Sequence, residues 1–75
     1  MANPRINLIE ARKSLKLKPK EMADKLGISV SYYYKFERGT RDPNLYIAKD
    51  ISSILGEPIE ILFLENRLPA SSKLA

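Results

Sequence analysis

The chain has 75 residues, no cysteine, no histidine and a formal net charge of +4. Its hydrophobic fraction of 44% is typical of one small globular domain rather than a disordered segment. Without cysteine or histidine, the composition excludes disulfides, the usual structural zinc sites and catalysis by a histidine base or a cysteine nucleophile. We therefore expect a core of packed aliphatic side chains, no metal or cofactor, and no enzymatic activity.

The positive charge is concentrated in the first part of the chain. Residues 1–43 hold ten Lys or Arg and five Asp or Glu, a charge of +5, whereas residues 44–75 carry −1. This asymmetry fits an ordinary solvated surface, and it also fits a protein that places one face on a polyanion. The longest apolar stretch, 59–64, contains Glu60 and is far shorter than the roughly 20 residues of a membrane span. No signal-peptide pattern follows Met1, so we expect a soluble cytoplasmic protein.

Apolar residues recur at spacings of three and four, and no strand-like alternation persists, so the sequence predicts helices. Asn3 is a candidate cap for a first helix with Pro4 at its first position, because that position needs no N–H donor. The predicted buried face of this helix is formed by Leu8, Ala11 and Leu15.

The second and third predicted helices are separated by a very short turn. The second helix begins at Pro19 and ends at Gly27. Its predicted buried residues are Met22, Ala23 and Leu26. Ser29 caps a third helix over about 30–37. Only Gly27 and Ile28 precede that cap, so the two helices must meet at a sharp angle.

Two further helices complete the predicted fold. Asn44 caps a fourth helix that ends at Gly56, and Pro58 begins a short fifth helix. The fourth helix has apolar residues at helical spacing, Leu45, Ala48, Ile51 and Leu55, and the fifth contains Ile59, Leu62 and Phe63. We expect an all-α domain of five short helices over residues 1–65, followed by a flexible tail at 66–75.

Several short motifs occur in a fixed order along this helical pattern. They are Met22-Ala23, Leu26-Gly27-Ile28-Ser29, Phe36-Glu37-Arg38-Gly39, Pro43 and Leu55-Gly56. In that order and spacing they resemble the helix-turn-helix of the Cro and lambda-repressor family, which includes phage repressors and restriction–modification controller proteins. The resemblance covers about residues 5–63. It implies a compact lambda-repressor-like DNA-binding domain in which the second and third helices form the helix-turn-helix.

The resemblance implies that the third helix lies in the major groove of double-stranded DNA. The positions that match the family's base-reading or groove-lining residues are Val30, Ser31, Tyr32 and Lys35. Lys35 can donate to guanine O6 or N7, Ser31 can pair with several bases, and Val30 can pack on a thymine methyl group. Helical spacing turns Tyr33 and Phe36 inward.

Other side chains are candidates for contacts with the DNA backbone. They are Lys18, Lys20, Tyr34, Arg38 and Arg41. Lys18 and Lys20 lie at the start of the second helix, where unpaired N–H groups favour an anion. The alternative for each cation is a solvated charge, and the alternative for the outward tyrosines is packing on the core. Many family members carry Gln where this chain has Pro19, which cannot donate, so any contact there falls to the two lysines.

The resemblance also assigns structural roles. Arg12 and Glu37 match positions that often form a partly buried ion pair in this family. The family's fifth helix joins two subunits about a two-fold axis, which would hold two recognition helices about 34 Å apart on a near-palindromic operator. The residues assigned to this interface are Leu62, Phe63 and Leu64, more apolar surface than one face of a short helix can bury. The alternative is that Phe63 closes the core of the monomer.

Together these features predict a homodimeric, sequence-specific transcriptional regulator of bacterial or phage origin. We expect it to act as a repressor, to be associated with the nucleoid through DNA, and to need no small-molecule ligand. The alternative that remains open is a protein-interaction module, such as an antitoxin or a phage accessory factor.

Overall fold

The computed structural model describes residues 3–64, and in this range the backbone forms five helices and no strand. The helices are α1 (Ile6–Ser14), α2 (Pro19–Leu26), α3 (Val30–Arg38), α4 (Leu45–Leu55) and α5 (Glu60–Leu64), the last with π-helical hydrogen bonding. The predicted all-α class with five helices is confirmed. The tail predicted at 66–75 lies outside the described residues, and the domain boundary at 65 stays a prediction. None of the five helices is long and apolar enough to cross a membrane.

Local side-chain chemistry explains the ends of the central helices. The Ser29 hydroxyl accepts a hydrogen bond from the N–H of Tyr32 at 3.1 Å, which caps α3. The Asn44 side chain accepts from the N–H of Ile47 at 2.9 Å, which caps α4. Gly27 ends α2 with φ at 72°, a left-handed conformation that other residues adopt only at a cost. These ends agree with the sequence prediction because each depends on neighbouring residues alone.

α1 begins later than predicted. Its first residue is Ile6, so neither Asn3 nor Pro4 starts the helix. The N–H of Arg5 donates to the carbonyl of Glu37 at 2.8 Å, which holds the segment before α1 against the end of α3. A long-range contact therefore replaces the local cap that the sequence predicted.

Two leucines that share helical spacing with core residues lie at the surface. Leu15 is 48% exposed, because α1 has ended before it and the chain turns at Lys16 with φ at 60°. Leu45 is 62% exposed in the first turn of α4, before that helix packs on the rest of the domain. On α1, the buried position one turn after Leu8 is taken by Arg12.

The core joins side chains from all five helices. The largest fully buried residues are Leu8, Met22, Tyr33, Phe36, Ile51 and Leu62. Ala23 is also buried, and its small side chain allows α2 and α3 to cross closely. Two aromatic rings thus lie among the expected aliphatic residues, both on the inner face of α3.

Leu62 and Phe63, which the sequence assigned to a dimer interface, are buried inside the protomer at 1% and 7% exposed. The Arg5 guanidinium lies 5.3 Å from the centroid of the Phe63 ring. Phe63 therefore packs in the core of the protomer, which is the alternative role predicted for it. Side chains this buried offer a second subunit little area, and the side chain of Leu64 lies outside the described part of the chain.

Candidate nucleic-acid interface

The turn between α2 and α3 fixes the direction in which α3 leaves the domain. The N–H of Ile28 donates to the carbonyl of Ala23 at 3.0 Å, and the N–H of Gly27 donates to the carbonyl of Asp24 at 3.2 Å. Ser29 then starts α3 directly. The turn is therefore short and hydrogen-bonded, and α2 and α3 pack directly against each other.

The two faces of α3 differ sharply in burial. Its inner face consists of Tyr33, Phe36 and Glu37, all buried. The outer residues Ser31, Tyr34 and Lys35 are exposed, while Val30 and Tyr32 are half-buried. The outer face therefore presents a hydroxyl, a phenol and an ammonium group to solvent on a helix whose opposite side is fixed in the core.

An ionic cluster holds the inner face of α3 to α1. Arg12 donates to both carboxylate oxygens of Glu37, from Nε at 2.6 Å and from a terminal nitrogen at 3.3 Å. The Tyr33 hydroxyl donates to the same carboxylate at 2.7 Å, and Arg12 also donates to the carbonyl of Leu17 at 2.8 Å. The structure thus brings together the pair that the resemblance assigned to a structural role.

The surroundings of this cluster shift two pKa values. Burial alone lowers the pKa of Arg12, but the hydrogen bond and the charge of Glu37 outweigh it, so the pKa is raised. Burial, and then the hydrogen bond to Glu37, raise the pKa of Tyr33. Arg12 and Tyr33 therefore both keep their protons across the physiological range.

Arg5 is a second internal cation, and sequence reasoning missed it. Its guanidinium donates to the carbonyl of Phe36 at 2.6 Å and to the carbonyl of Arg41 at 3.0 Å, and it pairs with the Asp42 carboxylate. Arg5 is buried, so it acts as a brace between α1 and the loop after α3. Its partners lie more than 30 positions away, and no local pattern distinguishes it from the other cations.

The cations at the start of α2 already have acidic neighbours. The backbone N–H of Lys18 donates to the Glu21 carboxylate at 2.7 Å at the start of α2, whereas the Lys18 ammonium forms no ion pair within residues 3–64. The Lys20 ammonium lies 3.4 Å from the Asp24 carboxylate, with both side chains mostly exposed. Such an exposed pair contributes little and exchanges easily with another anion. Lys18 and Lys20 therefore remain able to contact a phosphate, although the carboxylates of Glu21 and Asp24 reduce the net positive charge at the start of α2.

The arginine that ends α3 and the one in the following loop have fewer partners than Arg5 and Arg12. Within residues 3–64, neither Arg38 nor Arg41 forms an ion pair. The Arg38 guanidinium lies 5.9 Å from the centroid of the Tyr34 ring, and the Arg41 guanidinium lies 5.3 Å from that of Tyr32. These cations and the outer face of α3 form one surface whose exposed groups suit phosphates and base edges. We call this surface the α3 face: Val30, Ser31, Tyr32, Tyr34, Lys35, Arg38 and Arg41.

A short turn between two tightly joined helices, with the second exposed along one side, defines a helix-turn-helix domain. The family model described as helix-turn-helix matches residues 8–62. The chain therefore belongs to this family, a family of transcriptional regulators whose domains bind double-stranded DNA.

A curated relative is the uncharacterized HTH-type transcriptional regulator YqaE of Bacillus subtilis (strain 168), 41% identical over 56 residues. The match covers 75% of this chain and 48% of that protein, so the chain spans about half the length of its relative.

Solved structures show the same fold. The restriction–modification controller protein C.AhdI from Aeromonas hydrophila is 28% identical, with a TM-score of 0.66 over 76% of this chain and 86% of that one. The N-terminal DNA-binding domain of SinR from Bacillus subtilis is 24% identical, with a TM-score of 0.68 over 81% and 90% of the two chains. At 24% identity, the similarity to the SinR domain is evidence for the fold alone.

Proposed function

We propose that this chain is a sequence-specific transcriptional regulator that binds double-stranded DNA by placing the α3 face in the major groove. The observation that carries the proposal is the contrast between the two sides of α3. The inner side is fixed by buried rings and by the Arg12–Glu37 pair, and the outer side exposes polar and cationic groups. A rigid helix with such an outer edge is what reading base edges requires.

Within this proposal, the residues of the α3 face divide by chemistry. Ser31 and Lys35 are exposed and carry hydrogen-bonding groups, so they are the candidates for base edges, with half-buried Val30 packing on a thymine methyl group. Arg38 at the end of α3 and Arg41 in the loop that follows suit phosphates, as do Lys18 and Lys20 at the start of α2. Phosphate contacts fix the register and base contacts give specificity.

The proposal includes a homodimer on a near-palindromic operator, acting as a repressor by occupying a promoter. Because Leu62 and Phe63 are buried, the surface available for pairing is the outer side of α5, where Ile61 is 39% exposed. Ile61 borders a shallow groove between α1 and α5 that is also lined by Asn7 and Ala11. A two-fold contact there would be isologous, with the same patch on both subunits.

Selection of bound duplexes from a random pool tests the function directly. We expect an enriched motif with two half-sites related by inversion, spaced by about one helical turn of DNA. Recovery of no motif, together with affinity that does not change with salt, would contradict DNA binding and favour the protein-interaction alternative.

A further inference from the structure

The ring of Tyr32 is held from two sides. It packs edge-on against Phe36, with the ring centroids 4.9 Å apart and the planes at 60°. On another side it carries the Arg41 guanidinium, 5.3 Å from the ring centroid. Tyr32 is half-buried although it lies in the first turn of α3, where a base-reading side chain would need to extend freely.

The backbone of Arg41 is held as well. Its N–H donates to the carbonyl of Lys35 at 3.3 Å, and its carbonyl accepts from Arg5 at 3.0 Å. The neighbouring N–H of Thr40 donates to the same Lys35 carbonyl at 3.1 Å. The loop after α3 is therefore folded back on the helix, and this carries the Arg41 side chain towards the first turn of α3.

A guanidinium held over an aromatic ring by a cation–π contact still has N–H donors available for hydrogen bonds to oxygen acceptors. Arg41 forms no ion pair within the described range, unlike the internal cations Arg5 and Arg12. The N–H donors of the Arg41 guanidinium are thus available to another acceptor, while the side chain is already held in place. Binding an anion would then cost less ordering of the side chain than it would for a free arginine.

We propose that Tyr32 is a positioning residue rather than a base reader: its ring holds Arg41 beside α3, ready to bind a DNA phosphate at the edge of the groove. This inference rests on the proposed DNA binding. The ring, and not the hydroxyl, performs this role, since Phe36 and Arg41 both contact the ring. Tyr34 and Arg38 are a looser pair, at 5.9 Å, and no ring of the described residues packs behind Tyr34.

The test measures affinity and its salt dependence by fluorescence anisotropy, using the duplex enriched from the random pool. The full chain is compared with Tyr32→Phe, Tyr32→Ala, Arg41→Ala and the double variant Tyr32→Ala/Arg41→Ala. Tyr32→Met serves as a second ring-free variant that keeps apolar packing on Phe36. Lys49→Ala, an exposed charge on α4 outside the α3 face, is the control for loss of one charge.

We expect Lys49→Ala to bind like the parent chain, and Tyr32→Phe, which keeps the ring, to lose clearly less affinity than Tyr32→Ala. Arg41→Ala should bind roughly three- to tenfold more weakly, with a log–log salt slope shallower by about 0.9, as loss of one phosphate contact predicts. Tyr32→Ala and Tyr32→Met should shift both quantities in the same direction. The double variant should bind no more weakly than Arg41→Ala, because removing the ring matters only while Arg41 is present.

Equal losses for Tyr32→Phe and Tyr32→Ala would assign the role to the hydroxyl and overturn the proposal. Additive losses in the double variant would overturn it too, since a general folding defect or an independent contact would persist without Arg41. Both results leave DNA binding itself intact. Failure of the parent chain to bind any duplex would instead overturn the proposed function, and this inference with it.

Discussion

At the scale of single residues, Glu37 organises the interior. Its carboxylate accepts hydrogen bonds from Arg12 and from the Tyr33 hydroxyl, and all three side chains are buried. No buried side-chain nitrogen or oxygen in the described residues lacks a hydrogen-bond partner. A buried charge is tolerable only while it stays paired, so this cluster makes the position of α3 depend on α1.

Replacing one partner of the ion pair should therefore cost more than replacing both. Arg12→Met or Glu37→Met alone is expected to lower the free energy of unfolding by about 3–5 kcal/mol, because the other charge is left buried. The double variant Arg12→Met/Glu37→Met should recover part of that loss. Urea denaturation of the four proteins measures it, and single variants as stable as the parent would show that the pair has no structural role.

The raised pKa of Tyr33 makes stability depend on alkaline pH. The folded state holds the phenolic proton more tightly than the unfolded state, where the pKa is the ordinary 10.0. The resulting stabilisation is complete below about pH 10 and is lost as pH rises above it. In Tyr33→Phe the decline in melting temperature above pH 10 should be less steep. An identical slope in parent and variant would contradict this assignment.

At the scale of elements, the ends of α2, α3 and α4 could be predicted because Ser29, Asn44 and the helix-ending glycines act on their immediate neighbours. The start of α1 could not, because it is set by contacts between Arg5 and residues of α3 and its following loop. Helical spacing predicted which residues of α3 point outward, and the resemblance to the Cro and lambda-repressor family gave those residues a role in DNA binding. The contact between the Arg41 guanidinium and the Tyr32 ring could not be predicted, because it depends on how the loop after α3 folds back on the helix.

The brace formed by Arg5 should control the mobility of that loop. In Arg5→Met, the N–H groups of Thr40 and Arg41, which both bond to the Lys35 carbonyl, should exchange with solvent faster. Stability should fall by about 1–3 kcal/mol, because buried acceptors lose their donor. Lys13→Met, an exposed change on α1, is the matched control. Hydrogen exchange in the loop that is equal in both variants would argue against the brace.

At the scale of the whole molecule, the charge asymmetry of the sequence matches the division of the fold. The α3 face and the start of α2 lie in the basic part of the chain, whereas α4 and α5 belong to the part with a charge of −1. A protein that binds a polyanion gains from concentrating its cations on the surface that meets the polyanion, as this chain does on the α3 face and at the start of α2.

Sedimentation tests the homodimer. At micromolar concentration we expect a dimer for the parent chain and a monomer for Ile61→Lys, which places a charge on the exposed outer side of α5. Because Ile61 is outside the core, the variant should remain folded, and circular dichroism checks this. A monomeric parent chain would contradict the proposed homodimer, and the expected operator would then be a single half-site.

Whether the outer edge of α3 reads DNA can be measured by titrating the selected duplex with Ser31→Ala/Lys35→Ala. Both side chains are exposed, so the melting temperature should stay that of the parent. We expect the double variant's affinity for the selected duplex to fall at least about tenfold. The ratio of its affinities for the selected duplex and for single-base variants of that duplex should also become smaller. A double variant that binds the selected duplex as tightly and as selectively as the parent would contradict this role of α3.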